Sequence, residues 1–429
     1  MLLAAVLGCF LLLLLSRVPI AFALGLASFV FFFVSGRPAL SAVQEIATQM
    51  AEPTLLAIPF FILCGEIMSA GGMARRLVDL ANVCVGFVRG GLAMVNVVAS
   101  MFFGGISGSS VADTASIGPV LIPTMVKSGY DRGFYVAVTI ASSTQGIILP
   151  PSHNAILYSL AAGGAVSIQA LFLAGYIPGL LIGMALMVLS AIIASRRGYP
   201  RGSLVPWRQA LRIAVSGLPA LVAPLIIVVP LVMGWAPAHQ SAIIAVVWSI
   251  IASSLIYRSL GLTDYWGVLK RATQTSGLVM ILIGTAAAFG EALTYLHVPE
   301  LLASTLTAIS SHRVVVLLLL NLMILALGAI MDMAALIVIL TPILLPVVEG
   351  LGVHPVQFGI ILLLNLGIGL CTPPVGSTLF VGCAVGGISL ERASRSLMPF
   401  YFAMLVVLIL VTFIPELSLW LPELVASSQ

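Results

Sequence analysis

Apolar runs recur along nearly the whole chain, and polar residues are confined to short breaks between them. Runs near residues 2–15, 19–35, 92–106, 111–126, 133–149, 170–194, 213–233, 238–257, 313–330, 334–348, 356–370 and 397–415 approach the length of about 20 helical residues that crosses a hydrocarbon core. The pattern predicts helices that span a bilayer wholly or in part. Residues 92–126 and 313–348 are each too long for one straight span and too short for two with an ordinary loop. Small or polar residues interrupt both, Gly104 to Ser110 in the first and Gly328 to Asp332 in the second, so each reads as a broken helix. Two other runs, Leu55 to Cys64 and Gly277 to Phe289, are too short to cross and read as re-entrant or buried segments. Non-helical backbone at that depth is tolerated only where protein buries it or it lines a polar cavity.

These irregularities repeat in the same order. IPFFILCGEIM (Ile58 to Met68) is answered by IGTAAAFGEAL (Ile283 to Leu293), with Gly-Glu at the same place. Asp113 and Pro123 are matched by Asp332 and Pro342, Pro150-Pro151 by Pro373-Pro374, and Gly163-Gly164 by Gly386-Gly387. The separations stay between 219 and 225 residues. Leucine-rich stretches align with anything, but the Gly-Glu, Asp and Pro-Pro landmarks do not. Repeated short and interrupted segments in two halves are the sequence pointer to a transporter binding site. Region 170–257 supplies three spans, an odd number, which favours an inverted relation between the halves.

Composition agrees. Of 429 residues, 61% are hydrophobic and 7% charged, against roughly 25% charged in soluble domains. The net charge of +4 does not point to nucleic acid, because the basic residues lie in short loops. Arg196, Arg197, Arg201, Arg208 and Arg212 mark a cytoplasmic loop by the positive-inside rule. The tail after Phe413, with Glu416 and Glu423 and no Lys or Arg, is expected on the other side. Cys9, Cys64, Cys84, Cys371 and Cys383 sit singly in apolar stretches, as small buried hydrophobes rather than disulfides or zinc ligands. Met1 to Leu15 is apolar like a signal-peptide core but lacks a basic start, and it reads as an uncleaved first helix. No GxxxxGK[ST] loop and no HExxH pair is present, so neither ATP hydrolysis nor zinc chemistry is expected.

The candidate chemistry lies at the breaks. Ser107, Gly108, Ser109 and Ser110 put hydroxyls and an opened backbone inside a membrane helix, a donor set that suits a hard cation such as sodium; close packing through small residues is the blander alternative. Asp113 and Asp332 are intramembrane acids, costly and usually functional. Each either anchors the opened loop by accepting N–H bonds or acts directly on a cation, with an ion pair to Arg132 as the plain alternative for the first. Pro150-Pro151 and Pro373-Pro374 stop helices. The carbonyls they free at Gly369, Leu370 and Thr372, with the Gly376 turn, offer a second cation site. The half-helices that follow offer N-termini to an anion, near Ser152, His153 and Asn154 in one half and Ser377 in the other. Glu66 and Glu291 read as hairpin ends. Arg258, Lys270 and Arg271, before the second short run, are expected on an amphipathic arm at the membrane surface, and no central Arg or Lys is expected to clamp a carboxylate.

The motifs IPFFILCGEIM, GGLAMVNVVASMFFGGISGSSVADTASIGPVLIPTM, GYDRGF, ILPPS, LFLAGYIPGL and CTPPVGSTLF resemble the large membrane subunit of tripartite ATP-independent periplasmic (TRAP) transporters over essentially the whole chain. The resemblance implies an all-α polytopic, inverted-repeat, elevator-type transporter with two re-entrant hairpins and broken helices. It implies a bacterial inner-membrane location, sodium as coupling ion without other cofactors, and an organic anion, mostly a carboxylate, as substrate. It also implies a small four-helix membrane subunit and a soluble periplasmic substrate-binding protein as partners. The family's cation-binding segment carries over onto Ser107, Ser109, Ser110 and Asp113, and its second-half counterpart onto Asp332 and Thr372 to Gly376. The expected units are scaffold helices in 1–50, 170–275 and 397–429 around transport repeats in 51–169 and 276–396. Gln240 stands where the family usually carries an acid. Two rival readings are an intramembrane serine protease, with Ser107 in a GxSG pattern and His153 as base, and a passive channel.

Overall fold

The computed structural model describes residues 2–16, 18–310 and 312–427, and these form helices with no β-strand; Met1 and residues 428–429, in the expected terminal units, lie outside them. A bilayer offers backbone N–H and C=O groups no partner, so apolar runs of this kind fold as helices that satisfy both internally. The chain opens with α1 (Leu2–Leu15), α2 (Ile20–Val34) and α3 (Ala39–Met50). A short 3-10 turn, Pro53–Leu56, leads into α4 (Ala57–Ala70), followed by α5 (Met73–Val85), α6 (Gly91–Ser107) and α7 (Ser110–Lys127). Then come α8 (Arg132–Ser143), α9 (Gln145–Ile148), α10 (His153–Ala161) and the long α11 (Ile168–Arg196). The second half holds α12 (Trp207–Val232), α13 (Ala238–Ile251), α14 (Leu262–Tyr295), α15 (Val298–Ile309) and α16 (Arg313–Gly328). It closes with α17 (Met333–Gly350), α18 (Pro355–Gly369), α19 (Ser377–Gly386), α20 (Leu390–Phe413) and α21 (Glu416–Ala426). Seven of the described helical stretches are long and apolar enough to cross a membrane, or eight with the bent pair formed by α8–α9 and α10.

Two expectations about continuity are corrected. Leu55 to Cys64 and Gly277 to Phe289 are not interrupted short segments: they lie within Pro53–Ala70 and α14, helical stretches of 18 and 34 residues. Gly65 and Gly290 do not end these helices, because a lone glycine costs a helix only about 1 kcal/mol. They give close approach instead: a Cβ at Gly65 would lie 3.4 Å from the Ser107 Cα, and one at Gly290 would lie 3.5 Å from Pro342.

The re-entrant elements are residues 92–126 and 313–348, which are hairpins rather than broken helices. Leu92 and Val95 near the start of α6 line the same cavity as Pro123 and Thr124 near the end of α7, so the two helices run back along each other. Gly108 takes a left-handed φ of 61°, and Ser109 caps α7 by accepting from Ala112 N–H at 3.3 Å, which reverses the chain within two residues. In the second hairpin, the first residue of α16, Arg313, donates through Nη2 to the Gly352 carbonyl just past α17 at 3.3 Å.

The hairpins enter from opposite faces. The open end of the first sits with the basic loop after α11, where Gly90 N–H donates to Pro200 O at 3.1 Å and Asp131 pairs with Arg197 at 3.4 Å and Arg392 at 3.3 Å. The open end of the second sits at the far face, where α10 ends and Tyr158 Oη donates to Pro355 O at 2.7 Å. The repeats also complete each other. α2 packs along α14 as α13 packs along α4, and α7 lies against α19 as α17 lies against α10. Each hairpin tip meets its neighbouring crossing helix through a glycine pair. A Cβ at Gly104 would come within 2.4 Å of the Gly146 Cα, and one at Gly369 within 2.7 Å of the Gly328 carbonyl carbon. No side chain fits at either contact.

Candidate functional site

The tip of the first hairpin and the first proline pair form one cluster. α8–α9 and α10 are bent by 50° across residues 149–152, where Pro150 and Pro151 are buried. The hydroxyl of Ser152 donates to the Ile147 carbonyl at 2.6 Å, answering a carbonyl that the prolines leave without its helical donor. Asn154 Nδ2 donates to the Gly108 carbonyl at 3.0 Å and ties α10 to the hairpin tip. A Cβ at Gly108 would lie 2.9 Å from His153 Nδ1, and one at Gly105 would lie 3.1 Å from the Pro150 carbonyl oxygen. Ser107, Gly108, Ser109, Pro150, Ser152 and His153 therefore lie close together in the fold. The Ser107 hydroxyl bonds to the Ser109 backbone, at 3.4 Å to both N and O, and not to His153 among the described residues. That arrangement gives the protease reading no activated nucleophile.

Asp113 lies one turn further along, on α7. It is fully buried; the Ser100 hydroxyl lies near it, but no hydrogen bond of good geometry reaches either carboxylate oxygen among the described residues, and the neighbouring Thr114 hydroxyl has no partner either. No ion pair to Arg132 forms. An unpaired buried carboxylate costs several kcal/mol unless a charge or donors meet it, so this oxygen set fits a hard cation.

The second tip is built differently. Asp332 is exposed and caps α17, accepting from Ala334 N–H at 2.9 Å, so it is a loop anchor. The Ala329 carbonyl accepts from Val375 N–H at 3.0 Å, where the first half uses the Asn154 side chain. Two of the three carbonyls expected to be free are engaged: Gly369 O accepts from Thr372 N–H at 2.8 Å and Leu370 O from Leu379 N–H at 3.3 Å. The turn closes on itself because the helix end finds its own donors there. Even so, a Cβ at Gly376 would lie 2.7 Å from the Thr372 carbonyl oxygen and 2.8 Å from that of Leu370, so two carbonyls converge on one glycine. Pro373 and Pro374 are exposed, and Ser377 is half-buried at the start of α19. The two centres touch through Ser110 Oγ and Thr378 Oγ1, 2.7 Å apart.

A cavity of about 450 Å³ opens in front of the first tip, between α4, α7 and α14. Ser107, Ser109, His153, Glu66, Ser69, Arg271 and Thr275 line it, whereas Asp332, Thr372 and the second proline pair do not. Glu66 is thus a cavity residue within α4, not a solvated hairpin end, and it accepts from Arg271 Nε at 2.9 Å. Arg271, about half exposed, is the Arg or Lys that lines this cavity. Arg271 and Glu66 are 205 positions apart, so only the packing of α14 on α4 reveals the pair. Gln240 is exposed in the first turn of α13. At the basic face Asp131 is pushed up by partial burial, but the Phe134 N–H bond and the Arg197 and Arg392 guanidiniums prevail and hold its carboxyl below the usual range.

A sequence-family model described as the tripartite ATP-independent periplasmic transporter DctM component matches residues 7–417. The chain is 42% identical to the uncharacterized protein YgiK of Salmonella typhimurium, over 98% of this chain and 97% of that one. It is 40% identical to the C4-dicarboxylate TRAP transporter large permease protein DctM of Pseudomonas aeruginosa, over 89% and 90% of the two chains. Identity to the sialic acid TRAP transporter large permease protein SiaM of Vibrio cholerae is 34%, covering 96% of each. Among solved structures, the Alcanivorax borkumensis YdaH transporter superposes with a TM-score of 0.66 at 14% identity, over 89% of this chain and 88% of that one.

Proposed function

The chain belongs to the DctM component family of tripartite ATP-independent periplasmic transporters, and from that premise we propose that it is the sodium-coupled permease for an organic anion. The observation that carries the cation site is Asp113, a buried carboxyl with no basic partner among the described residues beside the opened Ser107–Ser110 tip. Sodium held by Ser107, Ser109, Ser110 and Asp113 oxygens would offset that charge. A second ion fits the converging Leu370 and Thr372 carbonyls. Each positive charge entering down a potential near 100 mV supplies about 2.3 kcal/mol, roughly a fifty-fold gradient. Cation binding first makes the tip attractive to an anion, so only the loaded site takes substrate.

The moving body in this reading is α6–α10 with α16–α19. In this reading α4 and α14 go with the frame, since they pack on one another and on α13 and α2, while α14 also provides the surface against which α17 lies. With the basic loop in the cytoplasm, the cavity before the first tip opens inward, and the protein lies in the inner membrane. A small four-helix membrane subunit and a periplasmic binding protein complete the transporter, and the binding protein delivers the anion. Relatives named for C4-dicarboxylates and sialic acid set the class of compounds to try.

The test is uptake of labelled succinate and N-acetylneuraminate into proteoliposomes containing all three components. Expected is saturable accumulation that needs an inward sodium gradient and the binding protein, and that Ser107→Ala abolishes. Flux that neither saturates nor needs the binding protein would establish a channel instead.

A further inference from the structure

The cavity before the first hairpin tip contains one feature that cation binding does not use. Of the residues that line it, only Arg271 is an Arg or Lys. Its side chain is about half exposed within α14, and Glu66, on α4, is its acidic partner. A guanidinium has five donors in a planar fork. Glu66 takes only Nε, at 2.9 Å, and the two terminal nitrogens have no acceptor among the described residues. The paired end is thus left available in a cavity that Ser107, Ser109 and His153 also line.

The opposite half supplies a control within the same molecule. At the place matching Glu66, Glu291 lines a cavity of about 220 Å³ together with Glu45, Gln49 and Thr294, and no Arg or Lys lines it. Arg37 lies near Glu291 and stacks on Tyr295 at 3.6 Å, so what distinguishes the repeats is that a guanidinium lines the cavity itself only in the first. An anion has reason to settle at only one of them.

We propose that Arg271 receives the carboxylate of the transported anion, and that Glu66 is a built-in competitor that holds the guanidinium until the anion arrives. The proposal rests on the reading of this chain as an organic-anion permease and names the residue that recognises the anion's charge. A carboxylate fits because the guanidinium fork donates two parallel N–H···O bonds to such a planar group, and one carboxylate already sits at its edge. Glu66 shares Arg271 with the incoming anion, and the cation-loaded tip across the cavity supplies the second attraction. Arg271 belongs to the frame while Ser107 belongs to the moving body, so the anion bridges them only when the tip stands opposite α14. Moving the tip away breaks that bridge and leaves Arg271 to Glu66 again.

The experiment compares Arg271→Gln, Arg271→Lys, Glu66→Gln and the wild type in the reconstituted three-component transporter. The probe is whichever of succinate or N-acetylneuraminate the wild type accumulates, and KM and maximal rate are measured separately. Arg271→Gln is expected to raise KM about tenfold or more, Arg271→Lys to restore it in part, and Glu66→Gln to lower KM by removing the competitor. Sodium dependence should persist in all three. A pair that serves only structure would make Glu66→Gln and Arg271→Gln fail alike, with lower melting temperature and maximal rate at unchanged KM, and that result overturns the proposal. Wild-type protein that accumulates neither probe would count against the transport reading itself, a different outcome from wild-type accumulation with an unaltered KM in Arg271→Gln.

Discussion

The two hairpins carry the same sequence landmarks and build different sites. In the first half the tip and the proline turn are enclosed: Pro150 and Pro151 are buried, and Asp113 is fully buried with no basic partner among the described residues. In the second half Pro373 and Pro374 are exposed, and Asp332 lies outside, capping α17. The glycine contacts alone are equivalent, Gly104 on Gly146 and Gly328 on Gly369. What duplication preserved is the backbone geometry that lets a hairpin tip reach a broken crossing helix. What diverged is the electrostatics. The same residue type is a buried carboxyl in one half and an exposed helix cap in the other.

The sharpest way to break this comparison is to remove both acids one at a time. Asp113→Ala is expected to abolish sodium-driven uptake, because it deletes the buried carboxyl at the tip. Asp332→Ala should keep sodium-driven uptake and lose about 1 kcal/mol of stability, the ordinary cost of a missing N-cap. Equal loss of uptake in the two, measured in proteoliposomes at matched protein content, would mean that both acids act on the cation.

The glycine contacts should respond alike. Gly104→Val and Gly369→Val each force a side chain into backbone 2.4 and 2.7 Å away. Overpacking of this kind costs about 1–3 kcal/mol, read as a lowered melting temperature in detergent. If one half tolerates the change, its tip does not depend on that approach.

The smallest effect is expected at the basic face. Asp131 holds the loop to Arg197 and Arg392 while its side chain is 41% exposed, so Asp131→Asn should cost under about 1 kcal/mol. Its folded pKa is depressed, so its contribution is present above the ordinary carboxylate range and is lost as pH falls through the lowered value. The wild type should therefore lose a little more stability on acidification than Asp131→Asn does, in melting curves taken across acidic pH.

Much of this architecture was legible in the residues. The interruptions at Gly104 to Ser110 and Gly328 to Asp332 marked both tips, and the proline pairs marked the bent helices. Direction was harder. A two-residue reversal and a kink leave the same trace in an apolar sequence, and only Gly108 in its left-handed conformation with the Ser109 cap distinguishes them in space. Gly-Glu misled because glycine inside α4 and α14 serves close packing rather than a helix end. The different fates of Asp113 and Asp332 had no local signal, since burial is decided by neighbours far along the chain. The pairing of Arg271 with Glu66 had no local signal for the same reason, its partner lying in the other repeat.

In the proposed transport cycle the hairpins move as a body against α4 and α14. Ser69 on α4 and Ser116 on α7 are hydrogen-bonded across that boundary at 2.8 Å. A Ser69→Cys/Ser116→Cys variant in the reconstituted transporter should lose uptake when oxidised to the disulfide and regain it on reduction. Undiminished uptake with the disulfide shown to be fully formed would contradict the account.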